Sequence, residues 1–112
     1  MKPASIKAKG RTAENLVVEF LRTWWPMAER RRLGGIHDRG DVAGVPGTVV
    51  EVKSGAKIEL GTWMRELDVE VANDHAEHGV LVIKPRGTTD ASQFYAVVRL
   101  DEWCRLRRAS NV

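Results

Sequence analysis

The sequence predicts an α/β domain: a small mixed β-sheet of four or five strands flanked by helices. Three observations carry that expectation. Two stretches repeat apolar residues at helical spacing, valine-rich runs lie between turn signals, and the two kinds of segment alternate along one chain. With 112 residues, 43% of them apolar, the chain suits one domain around a single core. We divide it into a basic N-terminal arm, residues 1–10, and one domain over 11–112.

Each element has its own signal. Ala13, Leu16, Val17, Phe20, Leu21 and Trp24 follow the i, i+3, i+4, i+7 rule, with Thr12 as N-cap and Pro26 as stop. Glu14 lies at the border of that buried face, whereas Glu19 and Arg22 point to water. Residues 27–33 suit an arginine-rich edge strand, and 34–40, with Gly34, Gly35 and Gly40, a loop. Residues 41–45 and 48–53 read as two strands around Pro46-Gly47, a pair suited to a type II turn. Leu60, Trp63, Met64, Leu67, Val71, Ala72 and Ala76 mark a second helix, with Gly79 as C-cap. Residues 79–84 and 93–99 are further strands, and Asp101 caps a short last helix around Trp103 and Leu106.

Charge and composition narrow the function. The net charge is +3 and the pI about 9.4. Lysines and arginines cluster at residues 2–11, at 30–32 and at 105–108, which suits a polyanion. One cysteine, Cys104, excludes an internal disulfide and a cysteine-built zinc site, so a cytoplasmic setting is expected. No apolar run approaches the ~20 residues of a membrane span, and the N-terminus lacks a signal-peptide core.

The most informative stretch is "RGDVAGVPGTVVEVKSG", residues 39–55. Side chains two apart on a strand share a face, so Glu51 and Lys53 project together while Val50 and Val52 enter the opposite layer. A paired strand carrying Asp41 brings a second carboxylate beside Glu51. Such carboxylates repel unless a cation sits between them, and magnesium accepts that kind of oxygen donor while keeping positions for water and phosphate oxygens. With Lys53 beside it, the set suits phosphodiester hydrolysis. A regular hairpin closed by Pro46-Gly47 would place Asp41 opposite Val52, on the wrong face. A one-residue offset is therefore expected, made accessible by Gly44 and Gly47.

Glu14, then Asp41, then "EVK" at 51–53, in the order helix, strand, hairpin strand, helix, resembles the PD-(D/E)xK nuclease superfamily, whose fold is restriction-endonuclease-like. Within it, "KGRTAENLVVEFLRTW" and the "GDVAG...VVEVKSG" core resemble the Holliday-junction resolvases of archaea and the resolvase-like proteins of actinobacterial phages, over roughly residues 9–85. The resemblance implies that Asp41, Glu51 and the helix-borne Glu14 hold Mg²⁺ or Mn²⁺ and that Lys53 is the catalytic lysine. It implies that Lys7, Lys9, Arg11 and Arg39 contact DNA phosphates, and that two copies act together on four-way junctions or other branched DNA. A phage-encoded member would work inside the host cell. Gly40 departs from the pattern, standing where the family's name has proline.

Other readings stay open at this level. The enzyme could be a nicking or restriction-type nuclease without branch preference, or a DNA-binding protein on the same fold that has lost catalysis. Glu51 and Lys53 could form an exposed cross-strand charge ladder, and Glu14 could be a helix acid placed by the macrodipole. Asp38 competes with Asp41 for a metal, and His37 lies near enough to touch phosphate. His75 and His78 form an H-x-x-H on the second helix without obvious further ligands. Trp24, Trp63 and Trp103 fall at core spacing, and Trp25 suits a stacking or dimer contact.

Overall fold

The computed structural model describes residues 3–31 and 39–110, with side chains from Thr12 onward. Its elements are α1 (Pro3–Leu21), β1 (Glu29–Arg30), β2 (Val42–Ala43), β3 (Thr48–Ser54), α2 (Leu60–Asn73), β4 (His78–Lys84), a 3-10 turn (Ala91–Gln93), β5 (Tyr95–Val97) and α3 (Leu100–Ala109). The strands form one five-stranded sheet in chain order. β3 and β4 run parallel, joined across α2, and the other neighbours are antiparallel. The expected mixed α/β sheet is therefore present.

Two apolar layers enclose β3. Its even positions, Val50 and Val52, pack with Ala13, Val17 and Val18 of α1 and with Val42 and Val45. Its odd position Val49 joins Leu81 and Ile83 of β4 under Trp63 and Leu67 of α2. A strand covered on both faces explains the unbroken apolar character of "TVV" and "VLVI".

Several boundaries differ from expectation. α1 opens at Pro3 and takes in most of the stretch set apart as an arm, so Thr12 lies inside the helix. Ala4, Lys7, Ala8 and Lys9 are good helix formers, and proline is tolerated in a first turn. α1 ends at Leu21 and passes into a tight turn over residues 22–24, so the chain has left the helix before Trp25, the residue whose helical geometry Pro26 disfavours. The Trp24 and Trp25 amides both turn back to the Leu21 carbonyl. Trp24 thus leaves the core spacing, is exposed, and meets Phe20 edge-on at 4.8 Å.

α2 closes at Asp74, not Gly79; His75 takes the positive φ, and Gly79 lies within β4. A Cβ at Gly79 would collide with Val71 and Leu67, so the glycine serves close helix–strand packing. Arg99, without a side-chain bond to the helix end, stands at the α3 N-cap, and Asp101 lies in the first turn. Trp63 is buried as expected, whereas Trp103 is exposed.

Candidate metal and phosphate site

The turn at 45–48 sets the site. The Thr48 amide donates to the Val45 carbonyl across Pro46-Gly47, with Gly47 at φ 63° and Gly44 at φ 91°, both conformations that favour glycine. The resulting register pairs Val42 with Val50. A regular two-residue hairpin would have paired Val42 with Glu51 instead, so the strands are offset by one residue, as the sequence predicts. The offset places Asp41 beside Glu51.

Asp41 is fixed three ways. Its amide donates to the Val50 carbonyl at 3.0 Å, its carbonyl accepts from the Arg31 amide at 2.8 Å, and its Oδ2 accepts from the Val52 amide at 2.8 Å. Gly40, just before it, holds φ 92°. Proline, locked near −65°, cannot occupy that conformation, which accounts for the glycine at this position. A Cβ there would also come within 2.7 Å of Val49 Cγ1.

Carboxylates from three other segments gather near Asp41. Glu14 of α1 and Glu51 of β3 each stand within hydrogen-bonding reach of Asp41, and Glu51 also meets Glu70 of α2. Glu51 is 6% exposed and Glu70 1%, which removes the exposed-ladder reading. Burial first, then Asp41 and Glu70, push the Glu51 carboxyl up to about 10. Burial and the charge of Asp41 likewise raise Glu14, against the pull of Arg30, whose Nε donates to Glu14 Oε2 at 2.9 Å. Glu14 is therefore a member of the cluster rather than only a helix-end acid.

Lys53 supplies the ammonium. Its Nζ lies 3.1 Å from Glu66 Oε2, 3.7 Å from Glu51 Oε2 and 5.9 Å from the centroid of Trp63. Burial works against its charge, but Glu66, Glu51 and Asp41 outweigh that and hold its pKa above the ordinary lysine value. At the other end of the cluster, Arg31 and Arg39 both approach Asp74, each at 3.8 Å.

Glu66, Glu70 and Asp74, four apart on α2 and its C-cap, form a line of acids reaching Lys53, Glu51 and the arginine pair in turn. Residues four apart share a helix face. Glu66 and Glu70 were missed in the sequence, although Glu70 falls three after Leu67 and seven after Trp63, within the apolar stripe. An acid at such a position was the signal available.

Among the described residues, no group of three or more His, Cys, Asp or Glu side chains is arranged to hold a metal ion. The carboxylates lean on one another instead, yet the donor set suits a hard divalent cation. All donors are oxygens, and Glu51 Oε1 is a buried atom with no hydrogen-bond partner. The Lys7, Lys9 and Arg11 side chains, and His37 and Asp38, lie outside the described residues; Arg39 is exposed beside the site. His75 and His78 do not share a helix. His75 is in a turn, and His78 opens β4, its Nδ1 2.7 Å from Glu102 Oε1. A shallow groove of about 140 Å³ between α2 and α3, lined by Leu67, Val71, Asp68, Arg99, Asp101 and Glu102 among others, does not include Glu14, Asp41, Glu51 or Lys53. No family model, curated protein or solved structure matches the chain.

Proposed function

We propose that the protein is a metal-dependent endonuclease that hydrolyses DNA phosphodiester bonds, with four-way junctions or other branched DNA as the preferred substrate and two copies acting together. The observation that carries the reading is the convergence of the half-buried Asp41 and Glu14 on the buried Glu51, beside one ammonium, Lys53. Buried carboxylates are costly as neighbours and are found where a cation or a reaction uses them.

Glu14, Asp41 and Glu51 would hold Mg²⁺ or Mn²⁺. When bound, such an ion supplies Lewis acidity, making water easier to deprotonate and offsetting charge that builds on the phosphate. Asp41 is held in place by the Val52 amide, so its orientation does not depend on the ion. Lys53 sets a positive charge at one side of the cluster, where it can orient the scissile phosphate or the attacking water. Arg39, with Lys7, Lys9 and Arg11, would grip backbone phosphates, a sequence-independent contact suited to a substrate recognised by shape.

The preference for branched DNA follows from the family resemblance, and fold-level likeness does not fix substrate. Cleavage of a four-way junction is therefore compared with that of a linear duplex of the same sequence, with magnesium and with EDTA. Magnesium-dependent cutting that favours the junction supports the reading. Equal rates on both substrates leave a nicking or restriction-type nuclease, and binding without cutting leaves a DNA-binding protein on this fold.

A further inference from the structure

The Lys53 side chain of β3 ends in a cradle that α2 builds. Its Nζ donates to Glu66 Oε2 at 3.1 Å and lies 5.9 Å from the centroid of the Trp63 ring, both on α2, while Glu51 Oε2 stands 3.7 Å away on β3 itself. Trp63 and Glu66 are three apart and share a helix face. Trp63 packs in the core, so the cradle is fixed to the fold at that end. Lysine carries a compact charge on a flexible four-carbon stem, and nothing in the side chain itself aims the ammonium. Its direction is set by these partners. A lysine–glutamate pair whose side chains are 26% and 47% exposed adds little to stability, so stability alone is a poor reason for it.

The two carboxylates at the ammonium differ in what else they do. Glu51 is crowded by Asp41 and Glu70, in the donor set that suits a divalent cation, whereas Glu66 pairs with Lys53. Once Glu51 shares its charge with such a cation, its attraction for the ammonium is cancelled, and the ion's own charge repels Lys53. Lys53 then keeps its place only if a second anion holds it. The Trp63 ring, at the outer limit of cation–π range, is too weak a partner for that task. We infer that Glu66 is a positioning residue, whose carboxylate holds the Lys53 ammonium beside the metal and phosphate site against the repulsion of a bound cation. Glu66 acts through Lys53 alone. The inference rests on the proposed metal-dependent chemistry and names the residue that keeps Lys53 in register with it.

The test follows the ammonium arm directly, by ¹³Cε relaxation of lysine side chains in the full chain, without DNA, before and after saturation with Mg²⁺. Lys53→Met identifies the resonance, and the Val52 amide, bonded to Asp41, reports that the ion has bound. In wild type the Lys53 arm should stay ordered when Mg²⁺ is added. In Glu66→Ala it should keep most of its order without Mg²⁺, where Glu51 still holds it, and lose that order on addition. The Glu66 side chain is exposed and alanine favours helix, so the variant should fold and melt as wild type does. On a four-way junction, kcat should fall at least about tenfold in Glu66→Ala with KM within about twofold, because the Lys53 charge is used in the transition state. Loss of order on adding Mg²⁺ in wild type, or retained order in Glu66→Ala, overturns the inference, as does a variant that cleaves DNA at the wild-type rate. If Lys53 depends on Glu66 as expected but no DNA is cut, the nuclease reading falls and this inference stands. If wild type cuts DNA and Lys53 is indifferent to Glu66, the reverse holds. A Val52 amide that Mg²⁺ never moves overturns both.

Discussion

Replacing Glu51 by glutamine should stabilise the metal-free protein, by an amount that grows with pH. Below about 4.5, the ordinary value for this group, the Glu51 carboxyl is protonated in folded and unfolded chains alike, and pH has no leverage through it. Above that value the unfolded chain releases the proton and the folded one keeps it, until the native carboxyl ionises near 10. The folded state then binds more protons than the unfolded, so stability falls as pH rises through this window. At pH 7.5 the gap of about three units, at about 1.4 kcal/mol each, sets a ceiling of about 4 kcal/mol on the cost. Shifts of the cluster toward Lys53 and entry of water reduce that, leaving about 2 kcal/mol, or roughly 8 °C in Tm for a domain of this size. At pH 5.5 the advantage of Glu51→Gln should be under about 1 kcal/mol on the same reasoning. Urea denaturation in EDTA at several pH values measures it. A variant no more stable than wild type at pH 7.5, or an advantage independent of pH, would refute the assignment of Glu51 to a crowded, buried carboxylate cluster.

Three further outcomes are expected. Asp41→Asn keeps an acceptor for the Val52 amide, so it should fold normally, lose cleavage by at least about a hundredfold and bind DNA as well as or better than wild type; turnover in gel assays and binding by anisotropy separate the two effects. Glu70→Gln should lower divalent-ion affinity severalfold in calorimetric titration, because Glu70 meets Glu51 inside the cluster; unchanged affinity would remove it from the site. Gly40→Ala should cost about 2 kcal/mol or more, since alanine must adopt φ 92° and press on Val49, and a melt within about 2 °C of wild type would contradict that geometry.

The parts of the fold legible in the sequence were those governed by periodicity. The buried stripes of α1 and α2, the valine run of β3 and the "VLVI" of β4 each present one spacing to one neighbour. The offset that brings Asp41 to Glu51 was also legible, because a two-residue side-chain period leaves one register that joins them. Helix ends were not. The stop at Leu21 and the turn at His75 come from local backbone geometry that other residues there would have allowed to differ. Glu66 and Glu70 were hidden because charged residues on a helix face read as solvated until the strand beneath them is known to carry Glu51 and Lys53. Trp103 misled for the opposite reason: its spacing is that of a core residue, while the face it occupies points away from this chain's own core.

The central claim is that Asp41 and Glu51, with Glu14, form a site for a divalent cation. Titrating metal-free protein with Mn²⁺ and following the free ion by electron paramagnetic resonance tests it without DNA or turnover. The account predicts saturable loss of the free-ion signal in wild type, abolished by Asp41→Asn and by Glu51→Gln. A free-ion signal that rises in proportion to added Mn²⁺ from the first addition, or binding that survives both substitutions, would contradict it.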